Sequence, residues 1–212
     1  MSQTEPFKLD SQALGALPIV CHFLERMRLG ALLERYLPAP DARVCLAPAK
    51  AIGLLVHNLC VCHEPLYGLG EWAAPYDPRL LGLTAEEVEL LNDDRVGRAL
   101  EQLFDCDRAS LLTDLMLHAI TEFSVDCSQL HNDSTSITLH GAYGVADGHE
   151  RSGKPTPAIV HGHNKDHRPD LKQLLWILTV SADGRSRSPT ASPTAISPTI
   201  RPTSPPGTGS SR

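Results

Sequence analysis

The chain has 212 residues, 42% of them hydrophobic and 5% aromatic, with 19 lysines and arginines against 25 aspartates and glutamates for a net charge of −6. That length and apolar content support one large domain or two small ones with a real core. No apolar run approaches the roughly 20 residues of a membrane helix, and the start MSQTEPFKLD has neither the basic end nor the apolar stretch of a signal peptide. A cytoplasmic chain without a membrane partner is expected.

Residues 185–212 contain four arginines and no acid, so residues 1–184 carry 15 basic against 25 acidic side chains, a net of −10. Such a balance argues against a stand-alone nucleic-acid binder, whose affinity rests on neutralising phosphates. The six cysteines, Cys21, Cys45, Cys60, Cys62, Cys106 and Cys127, show no CxxC spacing. Without a secretory signal they read as reduced, most of them as small core fillers.

Residues 12–124 read as helices. In LGALPIVCHFLERMRLGALLERYLP, Leu17, Val20, Leu24 and Met27, then Leu29, Leu32, Leu33 and Tyr36, recur at three-and-four spacing, which predicts an amphipathic helix pair bent near Gly30. Pro48 in the first turn of APAKAIGLLVHNLCVCH opens a helix apolar on nearly every side, the expected centre of a small bundle, and Pro65 closes it. Trp72 and Tyr67 are the expected aromatic anchors of the punctuated stretch after it. Thr84 and Glu87 have capping-box spacing, Asn92 or Asp93 can cap DRVGRALEQLFD, and DRASLLTDLMLHAITEFS is a further amphipathic helix.

After Ser124 the period changes. CSQLHNDSTSITLHG alternates and is β-branched in its second half, which predicts two antiparallel strands around DSTS. A Gly-, Pro- and His-rich stretch over residues 141–172 should be a long functional or mobile connection. Leu174–Val180 reads as a strand buried on both faces.

Asp133 in LHNDSTSI is the sharpest candidate for chemistry. It lies near the middle of a predicted hairpin with apolar flanks, where an ionised group needs a partner or a metal. The alternative is a turn aspartate bonded to its own backbone. His161, His163 and His167 have a zinc-like density, yet no cysteine or carboxylate spacing completes a ligand set. CVCH at Cys60–His63 reads as core packing, as do His22, His57 and His118. Asp94, Arg95 and Arg98 read as a solvated helix face.

LHNDSTSITLHGAY, the later GHNKDHRPDLKQLLWILTVSADG, and LNDDRVGRALEQLF in the helical part together resemble bacterial insertion-sequence transposases of the DDE class, in the branch related to insertion sequence four. The resemblance covers nearly all of residues 12–184. It implies an α+β chain: an N-terminal helical domain over 1–124 that helps recognise the element's ends, then the first strands of an RNase H-like catalytic domain over 125–184. It places the first of three acidic metal ligands at Asp133. It also sets Lys165, Arg168 and Lys172 in a basic segment near DNA.

In the complete enzyme two Mg2+ ions, roughly 3.5–4 Å apart, would promote in-line attack on a phosphodiester. The implied partners are the DNA of the terminal inverted repeats, a second copy, or the full-length transposase. The family's second Asp and its Glu have no match in this chain, so an inactive N-terminal fragment is expected. The alternative is a non-catalytic DNA-binding or dimerising regulator.

Of the 28 residues after Gly184, 18 are Pro, Ser or Thr, a composition that predicts a disordered tail over 185–212. Taking the third base of each codon with the first two of the next, Arg185–Ile196 can spell AVPIAYRVADGN and Pro198–Thr208 can spell ADDPTHIPTWD. Both strings are similar to the family's own continuation beyond SADG. A frameshift at or just after Gly184, decayed or programmed, is the expectation; a native disordered tail is the alternative.

Overall fold

The computed structural model describes residues 11–39, 46–144, 146–162, 168–182 and 195–201, the last by backbone alone. The chain divides into two compact units, Met1–His118 and Ala119–Arg212. Its elements are helical up to Phe123 and extended from Leu130 onward, an α+β order.

The helical unit begins with α1 (Leu17–Arg26) and α2 (Leu29–Tyr36). The bend falls at Arg28, left-handed at φ 52°, rather than at Gly30. Helix α3 (Pro48–Val61) is the centre of the bundle, packing against α1, α2 and α6 (Asp93–Asp105). Its apolar sequence suits that position, with Ala51, Ile52 and Leu54 buried. Short α4 (Leu69–Ala73) and α5 (Ala85–Glu89) come between, and α7 (Arg108–Phe123) comes last. The core gathers Leu17, Leu33, Leu54, Leu69, Trp72 and Val96.

Both predicted caps form. Thr84 Oγ1 accepts from Glu87 N at 3.2 Å while Glu87 Oε2 accepts from Thr84 N at 2.8 Å, and Asn92 Oδ1 accepts from Arg95 N at 2.9 Å. Trp72 anchors as expected, but Tyr67 is 80% exposed. It sits in the 3-10 turn Leu66–Gly68, where residues three apart share a side. Leu66 and Leu69 take the inner side and send Tyr67 outward.

The second unit is an antiparallel sheet. Strands β1 (Leu130–Leu139) and β5 (Lys172–Ser181) pair over ten residues without a register break. The two-residue strands β2 (Glu150–Arg151) and β3 (Lys154–Pro155) form a separate ribbon, and β4 (Val160–His161) joins β5 at Lys172 and Gln173. DSTS is therefore mid-strand, correcting the predicted hairpin. DSTS has no glycine to follow its aspartate in a tight two-residue turn, and β5 offers it a full-length ladder.

Strand β5 is central as expected, yet most of its side chains are only half-buried on either face. Ala195–Arg201, inside the stretch expected to lack order, runs antiparallel to β5 as β6. The free edge of β5 offers unpaired backbone groups, and Pro198, which has no N–H, is tolerated on an edge strand. No helix among the described residues is long and apolar enough to cross a membrane.

Candidate functional site

Strand β1 carries Asp133 at its fourth position, opposite Leu178 of β5. The carboxylate is exposed, and among the described residues its one side-chain hydrogen bond comes from the adjacent Ser134 N at 2.8 Å. The pleat places it on the same face as His131, Thr135, Ile137 and Leu139. The other face of β1 is lined by Asn132, Ser134, Ser136 and Thr138, and the Thr179 hydroxyl donates to the Asn132 side-chain oxygen.

Of the predicted basic residues, Lys172 and Arg168 are engaged elsewhere. Lys172 is opposite Leu139, six residues from Asp133 along β1, or about 20 Å at the rise of a strand. The Lys172 ammonium donates to the Ala142 carbonyl. Arg168 forms a two-pronged pair with Asp170, Nε to Oδ1 at 2.9 Å and Nη2 to Oδ2 at 2.7 Å. That guanidinium holds the Asp170 carboxyl down at about 2. Lys165, His163 and His167 lie outside the described residues, and His161 sits in β4 opposite Lys172.

Two Mg2+ ions require several carboxylates, and Asp133 supplies one. Among the described residues no group of three His, Cys, Asp or Glu side chains could hold a metal. The residues present do not fit a two-ion site, and no chemical step is assigned to one.

A second constellation lies in the helical unit and was not legible from spacing. His57 of α3 donates through Nδ1 to its own helix at Gly53 O, 2.8 Å away, which leaves Nε2 as the acceptor, 3.5 Å from Cys21 Sγ of α1. The Cys21 thiol donates to Leu80 O at 2.8 Å. Burial lowers the His57 pKa, opposed by the Gly53 hydrogen bond. Burial, reinforced by the Glu25 carboxylate, raises that of Cys21. The pair faces a cavity of about 310 Å3. Cys21 and His57 are separated by 36 residues, so no local motif announces them.

The other cysteines and histidines depart from the core-filler reading in part. Cys106 packs against the core, whereas Cys60, Cys62 and Cys127 are exposed. His22 is exposed, its ring edge-on to Phe23, and His118 Nε2 is 2.9 Å from Arg26 O. CVCH falls at the end of α3, where Val61 still packs against the core while Cys60, Cys62 and His63 are exposed, His63 being left-handed at φ 66°.

A helical unit followed by an antiparallel sheet with an exposed mid-strand carboxylate defines the class only as an α+β protein. The family model described as a domain of unknown function (DUF4277) matches residues 9–117, just over half of the chain. The chain belongs to that family, and the match covers the helical unit but not the strands. No curated protein and no solved structure matches it.

Proposed function

We propose that the chain carries the helical domain and opening strands of a DDE-class transposase, whose parent activity is metal-dependent cleavage and strand transfer at the ends of an insertion sequence. The observation that carries this reading is Asp133: a carboxylate in the middle of a ten-residue strand, exposed, and bonded among the described residues only to its neighbour's amide. Aspartate is a poor strand former, and no fold-stabilising partner among the described residues accounts for it there. On this reading Asp133 is the first acidic ligand of an RNase H-like domain. The second Asp and the Glu have no match, so the chain as it stands is assigned no cleavage of its own.

Incubation of the full chain with supercoiled DNA bearing the terminal inverted repeats and Mg2+ tests this. No nicking is expected, and nicking abolished by Asp133→Ala would overturn the fragment reading. Sequencing the DNA from codon 180 onward tests the frameshift. A shifted frame open as far as a second Asp and a Glu in family context supports the transposase; its absence counts against it.

A second reading, a regulator that dimerises or docks onto the full-length enzyme, is supported by Ile19 and Phe23. They stand one turn apart on α1, 65% and 46% exposed. Salt-dependent binding to the inverted repeats without cleavage would instead favour a DNA-binding regulator.

A further inference from the structure

We propose that the cavity between α1, α2, α3 and the 3-10 turn Pro78–Leu81 is a binding site for the cationic side chain of a partner protein, an arginine or lysine with its apolar stem. The inference stands apart from the transposition reading, since every residue it uses lies in the helical unit.

Space is the first argument. A volume of about 310 Å3 lies at the lower end of sites that hold small ligands, and Leu24, Leu29, Leu80 and Leu81 give it an apolar wall. Gly53 sits in the middle of α3, where glycine is about 1 kcal/mol worse than alanine. A Cβ built there would meet no heavy atom within 4 Å, and the same is true of Gly30 in the first turn of α2. Neither glycine has a positive φ. Neither backbone conformation nor packing among the described residues requires glycine at these positions. Both line the cavity and keep it open.

Polarity is the second argument. The donors at the cavity are already engaged. Lys50 Nζ reaches both Glu87 oxygens, at 2.7 and 2.8 Å, and the Arg79 guanidinium is paired with Asp77. The imidazole N–H of His57 and the thiol of Cys21 are given to the carbonyls of Gly53 and Leu80.

What stays open accepts. The carboxylates of Glu25 and Glu34, both exposed and both among the lining residues, have no side-chain hydrogen bond or ion pair among the described residues, and the Nε2 lone pair of His57 lies 3.5 Å from a Cys21 thiol whose proton is given to Leu80 O. A pocket of open acceptors with an apolar wall suits a donor-rich cation on a hydrocarbon stem. Residues 1–118 contain 10 lysines and arginines against 17 aspartates and glutamates. The resulting net of −7 draws cations toward the unit and repels anions.

The test uses the full chain and ligand-observed NMR with n-butylguanidinium, against butanol and butyrate as neutral and anionic analogues. Saturation transfer to butylguanidinium alone is expected, with competition by a capped Leu-Arg-Leu peptide about tenfold tighter. N-ethylmaleimide labelling should slow at Cys21 in the peptide's presence and stay unchanged at exposed Cys60.

Gly53→Leu places a good helix former in open space, so the variant should melt no lower than the parent and lose the signal. Combined Glu25→Gln and Glu34→Gln should weaken binding at least tenfold. Equal binding of butyrate, or binding retained by Gly53→Leu, overturns the site. Equal affinity for butylguanidinium and the peptide overturns the assignment to a protein side chain and leaves the pocket to a free organic cation.

Discussion

Asn58 and Glu64 are tied by two reciprocal hydrogen bonds: Asn58 Nδ2 donates to Glu64 O at 2.8 Å, and Glu64 N donates to Asn58 Oδ1 at 2.9 Å. The Asn58 backbone carbonyl also accepts from Cys62 N and His63 N. One fully buried residue thus fixes how the chain leaves α3, through a left-handed His63. Asn58→Ala should lower unfolding stability by about 1–3 kcal/mol. Asn58→Asp turns a donor into a carboxylate oxygen facing a carbonyl, and should cost more at neutral pH. Burial raises that carboxyl's folded pKa, so its penalty grows as pH rises and shrinks in acid, where the protonated form can donate again. Urea unfolding of both variants across pH checks this; a pH-independent Asn58→Asp penalty would contradict it.

The local half of this architecture could be read directly. Caps at Thr84 and Asn92, the helix opened by Pro48, and the strand at Leu174 arise from short-range chemistry that tertiary contacts reinforce. Readings that failed were those decided by distant partners. DSTS could be a turn or a strand in isolation, and β5, about forty residues on, settled it as a strand. Tyr67 and Trp72 look alike as aromatics, and only the inward side of the 3-10 turn separates them. The transposase reading rests on phrases such as HNDST, and the geometry adds to it only the exposure of Asp133. The cavity was invisible because it is defined by absent side chains at Gly30 and Gly53, on helices brought together by the fold.

Glu87 serves two structures at once. Its Oε2 accepts from Thr84 N in the capping box, and both its oxygens receive Lys50 Nζ from α3. Thr84→Ala should cost about 1 kcal/mol, the ordinary value of an N-cap. Glu87→Ala should cost about 1.5–3 kcal/mol, because it also releases a lysine that is 36% exposed from its partner, itself 15% exposed. The double variant should lose less than the sum, since each single change already opens the same box. Strict additivity in chemical denaturation would show that the box and the ion pair act separately.

His57 sets a pH dependence. Burial lowers its folded pKa below the ordinary 6.5, so the unfolded chain takes up a proton first as pH falls. The stability it supports is complete above about pH 6.5 and declines below that, until the folded imidazole itself titrates. His57→Gln should flatten that part of the stability-against-pH curve. The remaining acid loss belongs to carboxylates such as Asp170, whose depressed value moves its contribution to below 3.8. An unchanged slope between about pH 6.5 and 5 in His57→Gln would show that this histidine is not the titrating group.

Asp133 separates structural from functional retention. An aspartate holding the sheet together would have a partner beyond its own neighbour, and its removal would unfold β1. Here the carboxylate is exposed, its one side-chain bond among the described residues is from Ser134 N, and its cross-strand neighbour is Leu178, which offers a carboxylate nothing. Asp133→Asn should therefore change stability by no more than about 0.5 kcal/mol. Asp133→Thr, which puts a β-branched residue at the same place in the ladder, should raise stability by up to about 1 kcal/mol. A residue whose replacement improves the fold is retained for another reason, and a strand that keeps a poor former at its centre is the pattern expected where chemistry and stability compete. A loss of more than about 1 kcal/mol in either variant would return Asp133 to a structural role. It would also remove the observation on which the transposase proposal rests.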